Sequence, residues 1–297
     1  MKVVDMKRLP VVIVVSVIML ASCSKNDEKL NSTEVEIVSS ELLSEACVAE
    51  TSEMGFVILN TLSDSQLGTA LATESIPNFS LIDSLLMGAT FAVSGTGGLD
   101  NPQGAITIDF KSTGTTDRNG VIRKGIVTIN YSGRRWAVGS SRTISFSGYS
   151  RNNVKLADTT TYTITVKDSS KTALDFHHVL KSCVLTFPDQ RSFFREADFN
   201  SRVNFKLKTT TLYANDTCAV GRTRYGESFF SFITDSIVYR PQCIGAKMYL
   251  PNKGNKNITV GSSTYAVTYG STLTCGRTVG VIAGDKAATI TVNSDGN

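Results

Sequence analysis

Few residues in this chain are suited to catalysis or metal binding. Only two histidines occur, adjacent at His177 and His178, and neighbouring residues of a β-strand point to opposite faces. A zinc site would need cysteine or carboxylate partners, which appear at no recognisable ligand spacing. Asp175 would share a strand face with His177, yet no G-x-S-x-G nucleophile elbow accompanies them. The sequence therefore predicts no catalytic residue, no metal ligand and no cofactor, and favours a protein that is not an enzyme.

The aromatic residues are better candidates for binding. The single tryptophan, Trp136, follows Arg134 and lies close in sequence to Tyr131. An exposed indole beside a guanidinium could stack on a sugar ring, so Trp136, Arg134 and Tyr131 are candidate ligand contacts. The alternative, which we favour for Trp136, is a packing role in the core or at its edge.

Covalent lipid attachment is the chemistry that the N-terminus favours. Lys2, Lys7 and Arg8 precede a ten-residue apolar run at residues 11–20, too short to span a bilayer. Leu20-Ala21-Ser22-Cys23 follows and resembles a bacterial lipobox, in which the cysteine thiol is acylated after cleavage. We therefore expect a signal peptide at residues 1–22 and a lipid on Cys23; the alternative is an ordinary secretory signal with a chance cysteine.

The residues after Cys23 indicate the location of the protein. Ser24 at the next position resembles lipoproteins of the outer membrane, and residues 25–28 resemble a short acidic tag for export to the cell surface. We expect an outer-membrane, lipid-anchored protein, exposed at the cell surface. The full chain has a formal net charge of +4, and removing residues 1–22 leaves it near neutral, so no nucleic-acid partner is predicted.

From Gly104 onward, apolar and polar residues alternate. Ile106, Ile108 and Phe110 are separated by Thr107 and Asp109, and turn residues separate short runs of this kind. Comparable alternation occurs at residues 127–131, 162–166, 203–207, 265–269 and 288–292. One apolar and one polar face is typical of antiparallel strands that cover a core on one side. The pattern predicts an all-β domain over residues 76–297, an antiparallel meander or sandwich.

The segment between the lipid and this domain has a weaker pattern. Residues 23–75 are rich in Ser, Thr and Glu, with helical spacing of apolar residues only between Glu41 and Leu59. We interpret the segment as a tether that contains a short helix and lifts the domain off the membrane.

Five cysteines remain after Cys23, and an exported protein meets oxidising conditions that favour disulfides. Four of them lie in the β region, which allows three different pairings: Cys183, Cys218, Cys243 and Cys275. Cys47 would be the odd thiol.

Parts of the chain resemble uncharacterised lipoproteins of Bacteroidota. The resemblance rests on ITIDF at residues 106–110, DRNGVIRKGI at 117–126, YSGR at 131–134, and Cys243, YGS at 269–271 and Cys275 near the end. It implies a disulfide between Cys243 and Cys275, which leaves Cys183 with Cys218. It brings no established activity.

Three classes of function are consistent with these observations. A structural or interaction lipoprotein of the envelope comes first, with the membrane as partner through the N-terminal lipid. A module that binds a surface glycan or protein is the alternative, and a hydrolase is the least favoured.

Overall fold

The computed structural model describes residues 29–68, 71–74, 85–214, 218–243, 249–270 and 275–293. The predicted signal peptide and Cys23 lie outside the described residues. The helices are α1 (Ser32–Thr61), α2 (Asp64–Leu67) and a 3₁₀ turn (Pro241–Cys243). The strands are β1 (Leu71–Glu74), β2 (Thr90–Thr96), β3 (Gln103–Asp109), β4 (Thr115–Thr116), β5 (Ile122–Ser132), β6 (Ser141–Arg151), β7 (Val154–Leu156), β8 (Thr161–Ser169), β9 (Ala173–Thr186), β10 (Ser192–Asn204), β11 (Thr209–Leu212), β12 (Cys218–Arg222), β13 (Ser228–Tyr239), β14 (Lys253–Val260), β15 (Ser263–Thr268), β16 (Thr278–Ala283) and β17 (Lys286–Thr291).

These strands form one antiparallel meander, as the alternating pattern predicted. Each long strand pairs with the next long strand along the chain, from β2 and β3 through to β16 and β17. The short strands β4, β7 and β11 extend pairings between longer neighbours. Along β8, for example, the buried residues Tyr162, Ile164 and Val166 alternate with residues that solvent reaches.

The helix α1 lies inside this sheet. Its first turn is fixed by a capping box, in which the Asn31 side chain accepts from the Glu34 amide at 2.9 Å and Glu34 accepts from the Asn31 amide at 2.8 Å. Side chains of α1 contact β5, β6, β10, β13, β14 and β17. Its apolar residues, from Ile37 to Leu59, belong to the same hydrophobic core as the strands.

The interpretation of residues 23–75 as a tether is therefore wrong for residues 32–61. Apolar residues are spread around the whole circumference of α1, because the sheet covers it from several sides. A helix without one apolar face gives only a weak signal of amphipathic spacing in its sequence. The helix is the interior of the domain, and the domain extends N-terminally of residue 76.

The predicted strand at residues 203–207 is also wrong in its second half. β10 ends at Asn204, whose side-chain oxygen accepts from the Leu207 amide at 2.9 Å. Lys208 then has a positive φ of 51°, which turns the chain into β11. The side chain of Asn204 thus closes a turn where alternation alone indicated continuation.

The cysteines confirm one expected pairing and contradict the other. Cys243 and Cys275 form a disulfide with Cα atoms 5.2 Å apart. Cys183 is a free, buried thiol, and so is Cys47 on α1. The strands that carry Cys183 and Cys218 flank β10 on opposite sides, which separates them by about 9 Å across the sheet alone. That separation exceeds the Cα distance of about 7 Å that a disulfide can bridge.

Candidate functional site

The interior of the fold contains an ionic network built on carboxylates of α1. Glu50 accepts from Arg123 Nε at 2.8 Å and from Arg151 Nε at 3.1 Å, and Arg123 donates in turn to Asp117 at 2.8 Å. All four side chains are buried. Burial acts to raise the pKa of Glu50, but the two guanidinium groups outweigh it and hold that pKa below its usual value. Glu50 is therefore a charged structural centre that joins α1 to β5 and β6.

A second ionic cluster lies nearer the N-terminus of α1. Lys256 of β14 donates to Glu41 and, at 2.6 Å, to Glu45. Glu45 also accepts from the hydroxyls of Tyr239 at 2.9 Å and Tyr269 at 3.0 Å. Burial opposes ionisation of Glu45, yet Lys256 and the neighbouring cations keep its pKa lowered. These bonds satisfy the carboxylate and fix the rotation of α1 inside the sheet.

Next to this cluster is a cavity of about 50 Å³, bounded by α1, β8, β9, β10 and β13. Its wall includes Glu53, and burial raises the pKa of Glu53 to about 7 although Arg142 acts in the opposite direction. The buried hydroxyl of Tyr249, which also lines the cavity, has no hydrogen-bond partner among the residues that the structure describes. A space of this size holds a few water molecules, which would satisfy such groups. It is far below the roughly 300 Å³ at which small-molecule sites begin.

His178 lies at the edge of the same cavity. Its Nδ1 is 2.6 Å from the Tyr162 hydroxyl and its Nε2 is 2.7 Å from Ser201 Oγ, while its ring stacks on Phe199. Burial lowers the pKa of His178, so the imidazole is neutral. A neutral histidine could take a proton from Ser201, but the third group is a tyrosine instead of a carboxylate and no substrate-sized space adjoins them. The chain of hydrogen bonds serves the packing of β8, β9 and β10.

His177, on the opposite face of β9, lies 2.7 Å from Asp198. Asp175 instead pairs with Arg202 at 3.6 Å. The structure thus separates the histidines as predicted and assembles no Ser-His-Asp arrangement from His177 and Asp175. In the part of the chain that the structure describes, no group of three or more His, Cys, Asp or Glu side chains is arranged to hold a metal ion.

The predicted ligand contacts Trp136, Arg134 and Tyr131 do not form one exposed surface. The ring of Trp136 packs 4.8 Å from Phe56 of α1 and 6.2 Å from Phe176, with the Arg142 guanidinium 5.4 Å from its centroid. Tyr131 is buried and donates its hydroxyl to the Leu67 carbonyl at 2.7 Å. Of the three, only Arg134 is exposed.

Four of the exposed large apolar residues lie instead at the end of the fold where α1 terminates, and others, such as Tyr225 and Ile282, lie elsewhere. Arg135 donates to the carbonyls of Leu59 and Leu62 at the last turn of α1. We call this end the distal rim and define it as residues 97–102, 133–140, 167–172 and 205–208, which comprise four hairpin tips and the last three residues of β8. Neighbouring tips are joined by backbone hydrogen bonds, from Gly133 to Pro102 at 2.9 Å and from Phe205 to Thr172 at 3.0 Å.

Three of the four tips in the distal rim expose large apolar side chains. The exposed fractions are 61% for Leu99, 64% for Val138, 41% for Phe205 and 65% for Leu207. Basic residues in these tips outnumber acidic ones: Arg134, Arg135, Lys167, Lys171, Lys206 and Lys208 against Asp100 and Asp168. The distal rim is thus both apolar and positively charged.

The opposite end, where α1 begins, has a different character. Glu36 forms ion pairs with Arg191 at 3.1 Å and with Arg224 at 2.8 Å, and Arg224 also pairs with Asp189. Glu34 pairs with Lys286 at 2.9 Å. Charges at this proximal end therefore compensate one another across the turns, whereas those of the distal rim give a net positive charge.

Sequence reasoning missed the distal rim because Phe205 and Leu207 fit a strand pattern. Asn204 before them and Lys206 and Lys208 among them were the available signals of an exposed turn. Whether Leu99 and Val138 are exposed depends on which hairpins lie next to one another at the end of the sheet, and a single sequence does not show this.

Comparison of the chain with protein families, curated proteins and solved structures finds no match. Within the described residues, no helix combines the length and apolar character needed to cross a membrane.

Proposed function

We propose that the protein is a lipid-anchored envelope protein that acts by binding, without catalysis, and belongs with the uncharacterised lipoproteins of Bacteroidota that it resembles. In this proposal, Cys23 carries the lipid in the outer membrane and the folded domain faces the cell exterior. The domain holds a contact surface, the distal rim, away from the anchoring membrane.

The observation that carries the proposal is that the start of α1 and the exposed apolar residues of the distal rim lie at opposite ends of the fold. The first helical residue of α1, Ser32, lies at the proximal end and follows Cys23 by only nine positions. The exposed apolar residues Leu99, Val138, Phe205 and Leu207 lie at the other end. With a rise of about 1.5 Å per residue, the 30 residues of α1 separate the two ends by about 45 Å.

The filled interior supports binding over catalysis. Its centre is occupied by α1 and by ion pairs, and the cavity beside Glu53 accommodates only a few atoms. Exposed apolar residues on neighbouring hairpin tips are a candidate surface for a protein, a membrane or another ligand.

The anchor can be tested by metabolic labelling with an alkyne fatty acid and fractionation of membranes. We expect the wild-type chain to be labelled and membrane-bound, and Cys23→Ala to lose both properties. Cys47→Ser is the matched control because this thiol is buried inside α1, so it should remain labelled. Equal labelling of Cys23→Ala and wild type would refute the anchor.

A further inference from the structure

We infer that the distal rim docks on an anionic lipid bilayer. The inference deepens the proposed function by naming the chemistry of the partner, and it rests on that proposal in taking the distal rim as the contact surface. The juxtaposition that supports it is the apolar and basic side chains on neighbouring hairpin tips.

The first argument is the arrangement of the apolar side chains. Phe205 and Leu207 project from one four-residue tip, and Leu99 and Val138 project from others. Apolar side chains on hairpin tips can enter the boundary between headgroups and acyl chains, at a depth of about 5–10 Å. A protein partner would more typically be met by a flat, closely packed central patch with a polar border.

The second argument is charge. Lys206 and Lys208 alternate with Phe205 and Leu207, and Lys171 lies on the adjoining tip, which is hydrogen-bonded to Phe205. Lysines beside inserted apolar residues can reach the phosphates and carboxylates of anionic headgroups. At the proximal end Tyr225 is also exposed, but Arg191, Arg224 and Lys286 there are paired with carboxylates.

The test uses the chain from Ser24 onward, which lacks the predicted anchor and keeps the whole core from Leu30 to Val292. Its binding is measured by co-sedimentation with vesicles of phosphatidylethanolamine containing about one third phosphatidylglycerol, and with vesicles of phosphatidylcholine alone. We expect binding to the anionic vesicles that falls as salt is raised, because the attraction is screened within a Debye length.

Two double variants separate the two contributions. Lys206→Glu with Lys208→Glu should lower the partition coefficient on anionic vesicles by at least tenfold, since each lysine near such a surface contributes about fivefold. Phe205→Ser with Leu207→Ser should lower it to a similar extent. The matched controls are Lys155→Glu and Ile282→Ser, which are exposed but lie outside the distal rim and should stay within about twofold of wild type.

Three results would overturn the inference. The first is equal binding of the wild-type chain to the two kinds of vesicle. The second is full binding by both double variants. The third is binding to soluble polyglutamate that the lysine reversals abolish and the Phe205 and Leu207 changes do not affect, which would identify an acidic macromolecule as the partner. Fatty-acid labelling at Cys23 is independent of all three, so a failure here is distinguishable from failure of the proposed anchor.

Discussion

Replacing Glu50 with Gln removes the charge on which two buried guanidinium groups depend. Glu50 Oε1 lies 2.8 Å from Arg123 Nε and Oε2 lies 3.1 Å from Arg151 Nε, and each of the three side chains is about 2% exposed. Glutamine has nearly the same volume, so the substitution leaves packing intact. Its amide nitrogen would face a guanidinium donor, so at least one buried donor loses its acceptor.

The expected cost follows from the burial of the network. Removing one partner of a buried ion pair typically costs about 3–5 kcal/mol, because the remaining charge stays buried without compensation. Asp117 still accepts from Arg123 in the variant, so we expect about 3 kcal/mol, at the lower end of that range. The free energy of unfolding in urea, measured by circular dichroism, gives this difference directly.

A matched control breaks an ion pair that solvent reaches. Asp175 and Arg202 lie 3.6 Å apart on the outer side of the sheet, where an ion pair contributes about 0–1 kcal/mol. Asp175→Asn should therefore change the unfolding free energy by less than about 1 kcal/mol. If Glu50→Gln also costs less than about 1 kcal/mol, the assignment of Glu50 as the centre that joins α1 to the sheet is refuted.

The remaining predictions concern the disulfide, the cavity and the tryptophan. Cys275→Ser opens a loop with a sequence separation of 32 residues and should lower the unfolding free energy by about 3–4 kcal/mol. Reduction of the disulfide in the wild type should have the same effect. An unchanged midpoint of unfolding in urea would contradict this prediction. The raised pKa of Glu53, about 7 against a usual 4.5, means that the folded state keeps a proton that the unfolded chain releases at lower pH. Its contribution to the unfolding free energy is therefore fully present below about pH 4.5 and is lost as pH rises to 7. Glu53→Gln should flatten the fall in unfolding free energy over that pH window. Parallel curves of unfolding free energy against pH for the variant and the wild type would exclude this role. Trp136→Ala removes a half-buried ring that contacts Phe56 and should lower the unfolding free energy by about 2 kcal/mol, less than the loss of a fully buried ring would cost. A variant that is as stable as the wild type but no longer binds its ligand would instead favour the ligand-contact interpretation.

The sheet was predictable from the sequence because its signal is local. Residues such as Ile106, Ile108 and Phe110 alternate with polar residues wherever one face of a strand meets the core, and the structure places these three inside. The Cys243–Cys275 disulfide was expected from a resemblance, and the structure confirms it.

The role of α1 was not predictable in the same way. Glu41, Glu45 and Glu50 make the segment look solvated, yet each is buried against cations from strands that are 73 to 215 positions away in sequence. The partners Arg123 and Lys256 give no local sign of this pairing. A helix that is covered on all sides thus resembles a polar tether when its sequence is considered alone.

The candidate site was predicted only in part for a related reason. Trp136 and Tyr131 have side chains suited to ligand contact, but their environment is set by Phe56 of α1 and by the Leu67 carbonyl, which are distant in sequence. Phe205 and Leu207 had the exposure that a contact surface needs, and alternation placed them in a strand. Exposure at hairpin tips depends on turn geometry, here the bond from the Leu207 amide to Asn204.

Digestion of intact cells with trypsin tests most directly the claim that the domain is anchored at one end and presents the distal rim outward. Lys206 and Lys208 lie in an exposed tip, so we expect cleavage there on whole cells, and Lys206→Gln with Lys208→Gln should remove that cut. Cys23→Ala should show the same protein released from the membrane fraction. Protection of the wild-type chain until the outer membrane is opened would contradict the account and place the distal rim on the periplasmic side.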